Sequence, residues 1–296
     1  RLAHICSPGT WYTDYRPAVS LEEVDVVSVC VPTCLHPEVT IFAVAHGKHV
    51  LCEKPIALSL QDADAMIEAA RSNGVKLGLG FMRRHSPVTH ALRDWLAEGD
   101  LGSPVLYCAT DVREIRPKRE MHDSHANGGP IVDMGVHLFD GWAYLFNSKP
   151  VEVFAQGLRL AKERPELAHI REIAYDTAVI TACYASGDIG SFVVCWGLPP
   201  GVALPGSPDR ILGPNGIIQV EYGLVHQEVR VMRERGGWEL ISVCEEDMYQ
   251  LEIAHFGRCV LEDEPPLTVG EDGKTALRVA LAALESLETG QSVLLR

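Results

Sequence analysis

At 296 residues the chain has room for one large or two ordinary domains, and 47% apolar residues exclude a disordered chain. No apolar run approaches the roughly 18 residues of a membrane-spanning helix. The 40 acidic against 26 basic residues leave a net charge of −14, which argues against a nucleic-acid surface and says little about small substrates.

The opening, RLAHICSPGTWYTDYRP, resembles neither a signal peptide nor a domain's first strand, so an upstream segment is expected to be missing. DVVSVCV (25–31) is a continuous β-branched run, expected as a strand buried on both faces of a parallel sheet and ended by Pro32. HPEVTIFAVAHG (36–47) is helical in pattern, with Gly47 as its stop. HVLC (49–52) is a second strand, followed by the turn Glu53-Lys54-Pro55. Ser59 with Asp62 three residues on marks a helix start, and that helix runs to Asn73-Gly74. VKLGLGF (75–81) is a third strand, and Ser86-Pro87 opens another helix. Strands and helices alternating at this spacing define right-handed βαβ units of a doubly wound sheet.

Past residue 104 the texture changes. PVLYCATDVRE reads as a strand, and 127–146 as a Gly-Gly-Pro loop feeding one helix. DTAVITACYASGDIGSFVVCW alternates about a turn, GIIQVEYG follows, and HQEVRVMRERGGWELISV bends at Gly236-Gly237. Neighbouring strands with short turns imply a largely antiparallel sheet. The Pro/Gly-rich stretch 197–214 reads as a surface excursion, and two helices, from 248 and from about Asp272, close the chain. The fold class is therefore α/β: a partial Rossmann-type domain, then an α+β domain with a large, mostly antiparallel open sheet.

Nine cysteines, an odd number lying largely in apolar runs, read as reduced core residues of a cytoplasmic protein. Cys30 and Cys34 lack the second pair that a zinc site needs. Ligands of open α/β sheets bind beyond the carboxyl ends of the strands, where PTCLH (32–36) and the Lys54 turn both fall. Pro55 limits the backbone of Lys54 to extended conformations. In DMGVHLFD, Asp133, His137 and Asp140 stand at i, i+4 and i+7 and would share one face of a helix in an apolar setting. A histidine so placed suits acid–base work, and a carboxylate a turn away can orient it. A structural histidine and an Asp/His metal site are the other readings of the same residues. His122 and His125 read as solvated loop residues that could reach a polar substrate if their loop folds over the cleft. Arg83 and Arg84 fall at the sheet's functional edge as substrate or cofactor contacts or surface charges, with Arg84 assigned to the substrate.

These pieces, in order, resemble the glucose–fructose oxidoreductase / inositol dehydrogenase / rhizopine-catabolism (Gfo/Idh/MocA) family of NAD(P)-dependent oxidoreductases. The matching segments are VDVVSVCVPTCLH, GKHVLCEKPIAL, GLGFMRRHSP, GGPIVDMGVHLFD, DTAVITACYASGDIG and ALRVALAALESLETGQSVLL. The resemblance implies a dinucleotide-binding domain over 1–82 and a substrate and oligomerisation domain over 83–296. It implies Lys54 as catalytic lysine and Asp133 with His137 as acid–base pair, the last two also touching substrate. Pro32, Thr33, His36, Glu53 and Lys54 would meet the nicotinamide half of NAD or NADP, Thr33 standing where an asparagine is common. The family's G-x-G-x-x-G turn occurs nowhere in the chain, so its first βαβ unit is expected to be absent.

The implied reaction moves a hydride between nicotinamide and a secondary hydroxyl or ketone of a sugar or cyclitol, without a metal. Lys54 would stabilise the alkoxide, His137 take the proton and Asp133 set the imidazole tautomer. Rival readings are a non-catalytic cofactor- or sugar-sensing protein, and a metal-dependent isomerase or hydrolase using Asp133, His137 and Asp140. The expected partners are a sugar or polyol and further copies of the chain, as a dimer or tetramer through the C-terminal sheet. Neither nucleic acid nor membrane is expected.

Overall fold

The computed structural model describes residues 10–202, 204, 207–223, 225–234 and 236–295. A short helix, α1 (Tyr15–Val19), precedes a three-stranded parallel sheet of β1 (Val26–Val29), β2 (His49–Glu53) and β3 (Leu77–Gly80), in that spatial order. The crossovers are α2 (His36–Ala45) and α3 (Leu60–Ser72). Ser59 caps α3, its Oγ accepting from the Asp62 amide at 3.1 Å and donating to the Asp62 carboxylate at 2.7 Å. One expectation fails here. Strand β1 is not buried on both faces: it pairs only with β2 among the described residues, and Val26, Cys30 and Val31 are exposed. A strand with one neighbour leaves its outer side to solvent.

A 3-10 turn over Met82–His85 leads from β3 into α4 (Pro87–Ala97), capped by the Ser86 hydroxyl. The second sheet has nine strands in the order β11-β10-β9-β8-β4-β7-β6-β5-β12. These are β4 (Leu106–Glu114), β5 (Pro150–Leu158), β6 (Thr177–Tyr184), β7 (Ile189–Leu198), β8 (Asp209–Gly213), β9 (Gly216–Tyr222), β10 (Gln227–Arg233), β11 (Trp238–Cys244) and β12 (Val293–Leu294). Among the described residues of this sheet, only the β4–β7 pair is parallel. The bend expected at Gly236-Gly237 is a full reversal between the antiparallel β10 and β11. The stretch 197–214 is not all excursion. Its end forms β8, whose Ile211 is buried in the core, and which pairs with β4 and β9.

The segment 127–146 is two helices, α5 (Gly129–Asp133) and α6 (Gly135–Leu145), instead of one. Gly128 and Gly129 both hold positive φ, 79° and 73°, a conformation that side chains disfavour. At the break, a Cβ on Gly135 would lie 2.8 Å from the Phe139 ring, so the close turn demands glycine. Asp133 consequently ends one helix while His137 and Asp140 ride on the next.

Helix α6 lies against the inner face of the large sheet, and α7 (Met248–Leu261) follows β11. The long α8 (Gly270–Thr289) packs on β5 and α6 and also on α3 and β3. Its start lies two residues before Asp272, whose carboxylate accepts from the Val269 amide at 2.9 Å. Gly273 of α8 sits so close to Ile56 and Leu79 that a Cβ there would be 3.1 Å from each. The first and second sheets thereby share one hydrophobic core, with Val50 and Leu79 in the same cluster as Trp142, Ile180 and Leu277. No helix among the described residues is long and apolar enough to cross a membrane.

Candidate active site

The carboxyl ends of β1 and β2 and the start of α2 converge on the Lys54 turn. Thr33 is buried and begins a 3-10 turn behind Pro32. His36 is buried with its Nδ1 2.7 Å from the Pro55 carbonyl and its Nε2 2.9 Å from the Val31 carbonyl. One ring thus ties the end of β1 to the loop carrying Lys54. Burial pulls the His36 pKa down, against its contacts with these carbonyls. The Glu53 carboxylate accepts from the Lys54 amide at 3.2 Å, and burial raises its pKa while the Lys54 ammonium opposes the shift. The Lys54–Pro55 peptide is cis.

Lys54 reaches across 79 residues of sequence to Asp133. Its Nζ donates to the Asp133 carboxylate oxygen Oδ1 and to the Asp133 carbonyl, each at 2.9 Å. The pair is largely shielded, with 17% of the lysine side chain and 8% of the aspartate exposed. This corrects one expectation: Asp133 engages the lysine and makes no hydrogen bond with His137. Because the helix breaks at Met134, its carboxylate turns toward the β2 loop. His137 is buried, and burial, then the Lys54 and Arg83 cations, hold its pKa well below the ordinary range. The environment therefore favours the neutral imidazole.

The third member of the expected stripe serves elsewhere. Asp140 accepts from Arg84 Nε at 2.9 Å and pairs with Arg84 Nη2, while the same Nη2 reaches Asp272 at 3.2 Å. Burial raises the Asp140 carboxyl to about 6 against the pull of the guanidinium, so this pair is ionised at neutral pH. Arg84, assigned from sequence to the substrate, is itself buried and committed to these two carboxylates. Its neighbour Arg83 is the one that faces open space. Among the described residues no group of three His, Cys, Asp or Glu side chains is arranged to hold a metal ion.

That open space is a cleft of about 370 Å³ above the inner face of the large sheet. Met134 and Leu138, the residues that follow Asp133 and His137, form part of its wall, with Arg83, Asp111, Asp209 and Tyr222 among the others. Asp111 and Asp209 escaped the sequence reading. Their signal was present: each is a charged residue on the buried parity of a strand whose neighbours there are Tyr107, Ala109 and Ile211. Trp196 donates from Nε1 to Asp111 at 2.7 Å. Asp176 accepts from the Leu160 and Ala161 amides at 2.9 and 2.8 Å. His122 is not solvated. It is buried, its Nε2 accepts from the Arg116 amide at 3.0 Å, and burial lowers its pKa to about 4. His125 is exposed beside Glu172, 2.9 Å away.

Val31 and Leu35 present exposed apolar surface just beyond the carboxyl end of β1. No residue here is assigned to the pyrophosphate, since the sequence has no G-x-G-x-x-G.

Fold and site together define an oxidoreductase with an NAD-binding Rossmann domain. The model of the oxidoreductase family with that fold matches residues 7–81, and the model of the Gfo/Idh/MocA C-terminal domain matches residues 89–219. The chain belongs to this Gfo/Idh/MocA family. It is 33% identical over 288 residues to the myo-inositol 2-dehydrogenase of Thermotoga maritima, covering 95% of this chain and 83% of that protein. The aldose–aldose oxidoreductase of Caulobacter crescentus, solved with glycerol, superposes with a TM-score of 0.83 at 25% identity, covering 96% of this chain and 83% of that one. Levoglucosan dehydrogenase, solved with NADH and levoglucosan, shares the fold with a TM-score of 0.84 at 20% identity, covering 99% and 86%.

Proposed function

We propose that the chain transfers a hydride between NAD or NADP and a secondary hydroxyl or ketone of a sugar or cyclitol. In this reading residues 1–82 form the dinucleotide side and 83–296 the substrate and oligomerisation side. The observation that carries it is the lysine: Lys54 Nζ is held 2.9 Å from both oxygens offered by Asp133, at the carboxyl end of a Rossmann strand. The names of the relatives, which act on inositol and on aldoses, support the substrate class.

The nicotinamide, when bound, supplies the hydride acceptor. The chain's residues do the rest. A substrate hydroxyl beside the Lys54 ammonium develops negative charge as it gives up its proton, the cation stabilises that charge, and the charge is spent in forming the carbonyl as the hydride leaves carbon. The hydroxyl proton passes to a ring nitrogen of His137, which burial delivers neutral. Asp133 acts on the lysine, fixing the ammonium through carboxylate and carbonyl so that it is oriented before substrate arrives. Pro32, Thr33, His36 and Glu53 shape the surface for the nicotinamide. The test is turnover of a panel of cyclitols and pyranoses with NAD⁺ and NADP⁺, read at the reduced-nicotinamide absorbance band. Absence of reduction with every member of the panel, in a chain that binds the dinucleotide, would replace this reading with the sensing protein.

A further inference from the structure

We infer that the cleft selects an uncharged polyhydroxylated ring over the phosphorylated or carboxylated form of the same sugar, with Asp111 and Asp209 as the residues that determine this specificity. The inference rests on the proposed sugar or cyclitol substrate and narrows it. At about 370 Å³ the cleft stands near the small end of ligand pockets, the scale of a monosaccharide ring.

The register of the sheet explains why two acids meet there. Strands β4 and β8 are antiparallel with Cys108 opposite Arg210, so the next pair sets Ala109 opposite Asp209. Asp111 then lies two residues further along β4 on the same face, a diagonal neighbour of Asp209. Both are buried, 8% and 9% exposed, where a carboxylate is costly without partners. Each has one neutral donor and one arginine. Asp111 accepts from the Trp196 indole at 2.7 Å and pairs with Arg113 Nε. Asp209 accepts from the Tyr107 hydroxyl at 2.9 Å and faces Arg83 Nη1 at 3.9 Å. Arg83 in turn lies over the Tyr222 ring, 4.5 Å from its centroid.

Both arginines lining the cleft are therefore already balanced by a carboxylate. Glu221 also lines it, so three carboxylates stand against two guanidinium groups. His226, at the same wall, is occupied by Glu245 at 2.7 Å. An incoming phosphate or carboxylate would have to displace Asp111 or Asp209 from its arginine and leave that acid buried and unpaired. A hydroxyl faces no such cost. It can donate to the carboxylate and accept from the guanidinium, so each Arg–Asp pair presents the adjacent donor and acceptor that vicinal hydroxyls complement. Selection arises as much from repulsion of the anion as from attraction of the diol.

The test is calorimetric binding to the NADH-loaded full chain, which needs no turnover and so stands apart from the activity reading. A neutral cyclitol and a neutral pyranose are compared with the matching phosphate and uronate. The neutral ring is expected to bind about tenfold or more tightly than its anionic partner, since like charges meeting in a cleft cost this much or more. Asp209→Asn and Asp111→Asn should each narrow that ratio. Glu221→Gln, which alters an exposed side chain and leaves the buried hydrogen bonds intact, should narrow it by a few-fold even if the buried variants fold poorly. Equal or tighter binding of the anionic form overturns the inference. So does a ratio that stays constant through all three variants, or a cleft that binds no ring at all.

Discussion

The Lys54 ammonium and the Asp133 carboxylate are a shielded pair, so removing one partner has two separable consequences. Lys54→Met should lower kcat by about 10²–10³-fold, because a preorganised donor to the developing alkoxide is lost. It should also lower the melting temperature, since Asp133 is left as an uncompensated buried charge. The double variant Lys54→Met/Asp133→Asn should regain the stability and not the activity. Thermal melts and steady-state kinetics on the three proteins separate these effects, and a double variant with restored kcat would remove Lys54 from the chemistry. A second buried pair lies nearby. The unpartnered Glu252 Oε1 and His85 Nε2 face each other at 4.0 Å. Burial, then the Glu53 carboxylate, raises the Glu252 carboxyl to about 8 from 4.5. Between those values the unfolded chain releases a proton that the folded chain keeps, so stability is full below about pH 4.5 and lost as pH rises to about 8. His85 has the opposite sign. Burial, then His255, His90 and Arg84, lowers it to about 3 from 6.5, so stability is lost as pH falls through that interval. Glu252→Gln should abolish the alkaline loss, making the variant more stable than the parent at pH 9 and nearly equal to it at pH 4.5. Urea midpoints at the two pH values check this, and the same difference at both would show that Glu252 does not titrate differently on folding.

At the scale of elements, the site depends on how tightly α6 sits on the large sheet. Trp142 is fully buried on α6, and its ring occupies the space above Gly190 of β7. A Cβ at position 190 would lie 2.1 Å from that ring, nearer than any side chain can yield without moving the helix. Gly190→Ala should therefore cost about 1–3 kcal/mol, the range for overpacking a filled core. Because His137 is carried on the same helix, kcat should fall with stability even though position 190 lies on the sheet. Denaturant unfolding with parallel kinetics tests this, and an unchanged unfolding midpoint would mean that α6 floats more freely than its packing implies.

On the whole molecule, the outer face of the nine-stranded sheet is unusually apolar. Phe154, Val179, Ile189, Val193, Leu106 and Leu212 are all exposed there. Register makes them neighbours: Val179 opposes Val193, Leu106 opposes Ile189, and Leu106 also opposes Leu212. An apolar patch that is continuous across strands marks an association surface. We expect the chain to self-associate through this face. Val179→Glu/Val193→Glu should lower the mass measured by light scattering to that of a monomer while leaving the cleft on the opposite face intact. A wild-type chain that is already monomeric at micromolar concentration would refute the interface.

Much was legible before any tertiary contact was known. The alternation of strands and helices through α4, the Ser59 cap and the β6–β7 hairpin follow from periodicity and turn chemistry, which act within a few residues, whereas the reversal at Gly236-Gly237, the break between α5 and α6 and strand β8 did not. Lys54, Asp133 and His137 could be singled out because unusual residues stood beside a proline turn and within an apolar run. Their partners could not. Whether Asp133 meets His137, four residues away, or Lys54, 79 residues away, depends on a helix break at Met134 and on how α5 docks against the β2 loop. The commitment of Arg84 to Asp140, the burial of His122 and the meeting of Asp111 with Asp209 have the same origin. Local sequence sets which way a side chain points along its element, whereas the charge it meets is supplied by a distant strand or helix brought alongside by packing. Residue types and the alternation of elements in the first domain were thus properties of the sequence alone, and the pairing of charges that makes a site of them was decided by the tertiary fold.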